Sequence, residues 1–356
     1  MDAKIGVYGA TGYTGKLIAA EAHRRGIPIV LAGRDAEELK RVAEPYGFAT
    51  QVVALTEAGR LRAAIEDLEC VLHVAGPFSE TARPMIDACL ATGTHYLDIT
   101  GEIDVFEAAA RRGAEAEAAG IMLLPGAGFD VVPSDCLAAH VAAKIEEPTT
   151  LRLAIAGMGT GVSRGTAKTM VESLGDGLRV RRNGILESRP TGSLQRGFDF
   201  GAGEALGVGM PWGDVSTGFH STGIPNIEVY FALSGLAPTL LRASRFAAPL
   251  LRLPSVQRAL KSAVDRRPEG PDANARDANR AVLLAEVEGR GGEVARARLE
   301  TPNGYALTAE SAVELALRAA HGEAHPGFQT PSSAYGADFV LGMAGCTRTD
   351  LSPTRS

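Results

Sequence analysis

The chain has 356 residues, of which 22% are charged and 45% hydrophobic, with a net charge of -6. That length suits about two domains, each able to bury its own core, and the composition excludes a disordered polymer. Acids outnumber bases 42 to 36 and aromatics are only 5%, so the composition offers no base-stacking platform or excess of cations for a nucleic-acid backbone, and no nucleic-acid partner is expected.

The first third alternates strand and helix. Lys4–Tyr8 reads as a strand, followed by a glycine turn and a helix from about Thr14 to Arg25. Pro28–Ala32 is the second strand, and Asp35-Ala-Glu-Glu38 opens the next helix as a capping box with Asp35 at the N-cap. Ala49–Leu55, Cys70–Val74, Tyr96–Ile99 and Ile121–Leu124 repeat the pattern between alanine-rich helical segments. This spacing predicts an α/β domain, a parallel sheet with helices on both faces. After about Ile145 the grammar changes. Leu151–Ala156, Ile227–Leu233, Val282–Glu288 and Val294–Glu300 read as strands, and Asn183-Gly184 marks a two-residue hairpin. Hairpins without intervening helices predict a mainly antiparallel sheet in a second, α+β domain. Arg267–Asn279, broken by Pro268, Gly270 and Pro271, reads as a loop, and a helix returns over Thr308–Ala320.

Gly9-Ala-Thr-Gly12-Tyr-Thr-Gly15 sits between the first strand and the first helix. Amide groups at a helix N-terminus are unpaired and carry partial positive charge, so a pyrophosphate docks there. Gly9 makes the tight turn, Gly12 admits the phosphates and Gly15 lets helix pack on strand. The pyrophosphate is expected on Gly9, Thr11, Gly12, Tyr13 and Thr14. The second strand ends Leu31-Ala-Gly33-Arg34, placing a permanently charged guanidinium where an NAD site holds an acid. With Asp35 read as a helix cap, Arg34 favours NADP(H) over NAD(H) through the 2′-phosphate. Ala75, Gly76 and Pro77 leave the fourth strand at the same sheet edge and are expected beside the nicotinamide. Two further loops follow, His95-Tyr96-Leu-Asp98-Ile-Thr-Gly101-Glu102 and Gly126-Ala-Gly128-Phe129-Asp130 through Pro133-Ser134-Asp135. Tyr96, Glu102 and Asp130 are the candidates for proton handling. The competing expectation is structural: Asp98 bracing a neighbouring loop, Ser134 or Asp135 capping a helix.

These motifs together resemble the saccharopine dehydrogenase-like oxidoreductases, in particular the branch that includes trans-acting enoyl reductases. The similarity continues through Ser163-Arg-Gly-Thr166 and Gly327-Phe-Gln-Thr330-Pro331 and so covers most of the chain. It implies a Rossmann-type NADP-binding domain over residues 1–135, an inserted substrate or dimerisation α+β domain over 136–304, and a C-terminal return to the first domain over 305–356. The implied activity is hydride transfer to an unsaturated carbon of an apolar or acyl substrate held between the domains. Two alternatives stay open: a saccharopine-type imine or amino-acid oxidoreductase, and a non-catalytic NADP-binding or membrane-surface protein. The first calls for clustered bases. Arg179, Arg181 and Arg182 cluster but read as a solvated strand edge, and Arg164 is the better single candidate. Gly207–Gly213 and Phe219–Asn226 read as loops lining the pocket.

Leu236–Leu253 is apolar but carries Arg242, Arg245 and Arg252, so it does not span a bilayer. It reads as a lid over a lipid-like substrate, a peripheral membrane contact, a homodimer contact or an amphipathic helix packed on its own sheet. Cys70, Cys89, Cys136 and Cys346 are scattered, and the start Met1-Asp2-Ala3-Lys4 has no basic and apolar leader pattern, so a reduced, cytoplasmic chain is expected. No metal is expected, because Gly322 and Pro326 break the helical spacing of His321 and His325.

Overall fold

The computed structural model describes residues 4–157, 162–172, 177–201, 203–251 and 253–351. The leader reading at Met1–Ala3 and the Arg252 position lie outside the described residues. The chain forms two compact units, one reaching to Val132 together with Tyr305–Ala334, the other comprising Pro133–Gly304 and the residues from Tyr335 onward.

In the first unit, β1 (Ile5–Tyr8), α1 (Tyr13–Arg24), β2 (Ile29–Gly33), α2 (Ala36–Ala43), β3 (Ala49–Val52), α3 (Ala58–Ile65), β4 (Cys70–His73), α4 (Phe78–Thr92), β5 (His95–Asp98), α5 (Ile103–Ala110), α6 (Gly113–Ala118) and β6 (Met122–Leu124) alternate. The strands form a wholly parallel sheet in the order β3-β2-β1-β4-β5-β6, which is Rossmann topology. β1 and β4 are buried along their whole length, as strands covered on both faces must be, whereas β3 at the edge is exposed. Helix α1 buries Gly15, Ile18, Ala19 and Ala22 on one face. It ends where Gly26 takes a positive φ of 67° and Ile27 donates back to Ala22, a Schellman stop. The returning helix Gly304–Arg318 starts four residues earlier than its apolar spacing predicts, and a seventh parallel strand missed in the sequence, Gly327–Phe328, extends the sheet beyond β6.

In the second unit, the remaining strands are Pro148–Ala156, Leu178–Arg182, Ile185–Arg189, Gln195–Asp199, Glu204–Gly209, Asn226–Ala232, Arg280–Gly289, Val294–Pro302 and Thr347–Leu351. They form a mixed, mostly antiparallel sheet; only Asn226–Ala232 against Pro148–Ala156 runs parallel. Asn183 (φ 48°) and Gly184 (φ 80°) both take left-handed backbone, the type I′ hairpin that Asn-Gly favours.

Several expectations are corrected here. The tail from Tyr335 belongs with the second unit, because Thr347–Leu351 hydrogen-bonds along the edge of Val294–Pro302. Arg267–Asn279 contains a helix, Ala273–Ala278, capped by the Asp272 carboxylate. Gly207–Gly209 are strand, and Phe219 and His220 lie within the helix Asp214–Thr222.

A Cβ on Gly15 would fall 2.5 Å from the Gly9 carbonyl oxygen and 2.7 Å from Ala10 Cα, so backbone would have to move. Gly59, by contrast, faces open space in α3. Gly15→Ala is expected to cost about 2 kcal/mol or more in urea unfolding, and Gly59→Ala to be neutral or stabilising.

Candidate functional site

The strand order reverses direction between β1 and β4, and a ligand cleft opens beyond the carboxyl ends of strands at such a point. Tyr8 stands level with Ala32 and His73, and His73 with Asp98, so the glycine turn, Arg34, Ala75–Pro77 and the Thr100–Glu102 loop all leave one sheet edge. Gly9 has φ 93°, and a Cβ there would lie 2.7 Å from the Ala75 amide nitrogen. Glycine is therefore required for the two loops to meet. Gly12 donates to the Gly9 carbonyl at 3.0 Å, closing the turn. Helix α1 then starts with no side-chain cap and no acid in its first turn. The Tyr13 ring packs edge-on against Tyr305 at 5.1 Å. Thr81 Oγ1 reaches the carbonyls of Ala75 (2.6 Å) and Pro77 (2.9 Å), pinning the second loop.

Asp35 caps α2 by accepting from the Glu38 amide at 3.0 Å. Its carboxylate is thus committed. Arg34 is exposed and enters no ion pair or hydrogen bond among the described residues.

The proton-handling candidates divide. Tyr96 is fully buried in the core and donates its hydroxyl to Asp98 at 2.6 Å. Burial raises that phenol further above its ordinary range. Asp98 also accepts from the amides of Thr100 (2.9 Å) and Gly126 (3.0 Å), and burial pushes its carboxyl up to about 6 against those bonds. It staples two loops together. Glu102 accepts from the Phe78 (2.9 Å) and Ser79 (2.8 Å) amides, capping α4 from another segment. Asp130 differs. Its carboxyl lies against Gly101, where a Cβ would come within 2.7 Å of Oδ2, and burial pushes it up to about 7. It is the candidate best poised to exchange a proton near neutrality.

His73, which the sequence reading passed over, is fully buried among Tyr8, Phe78 and Tyr96, with burial pushing its imidazole down to about 3. It remains neutral. Thr308, also passed over, accepts from the Phe129 amide at 2.9 Å and fixes the loop that carries Asp130. Neither residue belongs to a local motif, since strand register and chain return bring them in.

In the second unit the arginines of the sheet are committed internally. Arg181 is 4% exposed, donates to the carbonyls of Val215 and Gly184, and stacks 4.2 Å over Phe219. Arg182 pairs with Glu228. The solvated-edge reading is thereby corrected, because this strand is paired on both sides and Arg181 is buried within the unit. Arg152, Arg196 and Arg296 share Glu286. Arg164 donates to the Arg267 carbonyl at 2.6 Å.

Comparison with known proteins gives this geometry relatives. Residues 5–124 match the saccharopine dehydrogenase NADP binding domain. That stretch is similar to the nicotinamide-dinucleotide-binding domains of the saccharopine dehydrogenase type. A protein of Mycobacterium tuberculosis named as a trans-acting enoyl reductase is 32% identical over 187 residues, 47% of this chain and 43% of that protein. A trans-acting enoyl reductase of Mycobacterium leprae is 35% identical over 146 residues, 36% of this chain and 33% of that protein. The similarity therefore spans less than half the length of these relatives. The saccharopine dehydrogenase (L-Glu forming) of Saccharomyces cerevisiae shares the fold, with a TM-score of 0.67 over 98% of this chain and 100% of that one at 10% identity.

The NADP-binding domain fits its cofactor class. A Cβ at Gly9 or Gly15 would intrude on the turn's own backbone, and α1 presents a first turn without acid.

Two expectations follow. Glu102→Ala uncaps α4 and is expected to cost about 1–2 kcal/mol in urea unfolding. Asp130 holds its proton more tightly folded than unfolded, so its contribution to stability is complete below the unfolded value and lost as pH rises through about 7. Asp130→Asn is therefore expected to gain on the parent by on the order of 2 kcal/mol between pH 5 and 8, read from paired unfolding curves.

Proposed function

We propose that the chain is an NADP(H)-dependent reductase acting on an unsaturated carbon of an apolar or acyl substrate. The observation that carries this reading is the cradle of Gly9, Gly12 and Gly15 at an α1 N-terminus with no side-chain cap, inside the stretch that matches the NADP-binding family. Gly9, Thr11, Gly12, Tyr13 and Thr14 would hold the pyrophosphate and Arg34 the 2′-phosphate, with Ala75, Gly76 and Pro77 at the nicotinamide side. When bound, the reduced nicotinamide supplies the hydride equivalent. Asp130, held near neutrality by burial, exchanges the accompanying proton. Asp98 and Glu102 keep the surrounding loops in place, and Tyr96 acts through Asp98 as a positioning residue.

An acyl or apolar substrate is favoured over a saccharopine-type polycarboxylate. The second unit's Arg152, Arg181, Arg182, Arg196 and Arg296 are already bonded to glutamates or main-chain carbonyls, so offering them to a substrate would leave those partners unsatisfied. The names of the mycobacterial relatives support the same choice. The four cysteines are free and buried, which supports placing the protein in the reducing cytoplasm.

Arg34→Asp is expected to weaken NADPH binding by about 10–100-fold while leaving NADH binding nearly unchanged, by isothermal titration calorimetry. Equal losses for both would remove the 2′-phosphate assignment. NADPH oxidation is expected with enoyl thioesters. Turnover of imines alone would select the amino-acid oxidoreductase reading, and NADPH binding without turnover on any of these would select a binding protein.

A further inference from the structure

Half of the strongly exposed large hydrophobic side chains among the described residues come from one short stretch of the second unit. Leu236 is 76% exposed, Leu240 66%, Phe246 77%, Leu250 57% and Leu253 46%. Leu236, at the N-cap, and Leu240 lie one helical turn apart, as do Phe246 and Leu250 within the helical run from Ala237 to Leu251. The segment is nevertheless anchored from beneath. Pro238 is buried, and the Gly192 turn approaches so closely that a Cβ there would lie 3.0 Å from Arg242 Cα. The following helix, Pro254–Val264, packs Leu260 and Val264 on Ala167 and Val171, and Lys168 pairs with Asp265 at 2.6 Å. The apolar side chains thus point outward from a braced support.

The charges on this stretch are of one sign. From Val229 to Val264 the sequence contains no Asp or Glu, yet it carries Arg242, Arg245, Arg252, Arg258 and Lys261 in a protein whose net charge is -6. Arg242, Arg245 and Arg258 are exposed, and the Arg245 guanidinium lies 4.7 Å over the Phe246 ring. No helix among the described residues is long and apolar enough to cross a membrane. Outward leucines and a phenylalanine, flanked by cations and free of acids, match an element that lies in a bilayer surface. Symmetrical pairing of two copies through this face would set its cations against their own images.

We propose that Leu236–Leu253 is a docking surface for an anionic phospholipid bilayer. Leu236, Leu240, Phe246 and Leu250 enter the acyl boundary, and Arg242 and Arg245 meet the headgroup phosphates. The surface orients an otherwise acidic protein, since this face is attracted to a negative membrane. The proposal does not depend on the reductase reading, and its test uses no coenzyme.

The test is flotation of the full chain with phosphatidylcholine vesicles, with and without about 30% phosphatidylserine. The protein is expected to float only with the anionic vesicles and to be released as salt rises. Arg242→Glu/Arg245→Glu and, separately, Leu240→Ser/Phe246→Ser are each expected to reduce recovery at least about tenfold. Both pairs change exposed side chains, so unchanged thermal melting would show that the fold persists. Absence of flotation by the parent chain, or equal recovery of parent and variants, would overturn the proposal. So would a dimer in sedimentation that Leu240→Ser/Phe246→Ser dissolves, which would assign the face to a second copy.

Discussion

The close approach of two loops at the centre of the parallel sheet governs the first unit. Gly9 leaves β1 with a positive φ and meets the Ala75 backbone leaving β4, where no side chain would fit. The same turn packs against Gly15, so α1 is seated on the sheet with its amino end at the strand reversal. A helix start held there without a side-chain cap favours an anion, because backbone amides and the helix dipole both point outward. The helices that follow β2 and β4 do not share this property. Asp35 caps α2 and Glu102 caps α4.

Burial separates the acids of this edge into different tasks. Asp98 receives three hydrogen bonds, which offset its desolvation and make it a loop staple. Glu102 spends both oxygens on helix amides. Asp130 is raised further, to about 7, by desolvation, so its two protonation states lie close in free energy near neutral pH. The second unit handles charge differently. Its sheet pairs arginine with glutamate across neighbouring strands, whereas the sequence from Val229 to Val264 carries cations and no acid.

Much of the first unit was legible because its signals are local. The glycine triplet, Asp35 at an N-cap and the strand-helix alternation each follow from residues a few positions apart. The Asn183-Gly184 hairpin was legible for the same reason. Long-range features were not. Gly327–Phe328 is a two-residue strand with no periodicity of its own, and Thr347–Leu351 exists only as a partner for an exposed edge. Tyr96 carries a titratable hydroxyl at the expected place, yet the alternation of the strand turns it into the core toward Asp98. Arginine spacing alone makes Arg181 look solvated, because it does not reveal strand pairing on both sides.

Hydrogen–deuterium exchange with and without NADPH addresses the central claim most directly. The peptide from Tyr8 to Lys16 is expected to gain the largest protection on NADPH addition, with a smaller gain at Ala75–Pro77. Protection concentrated elsewhere, with no change in the glycine turn, would contradict a coenzyme diphosphate seated at the start of α1.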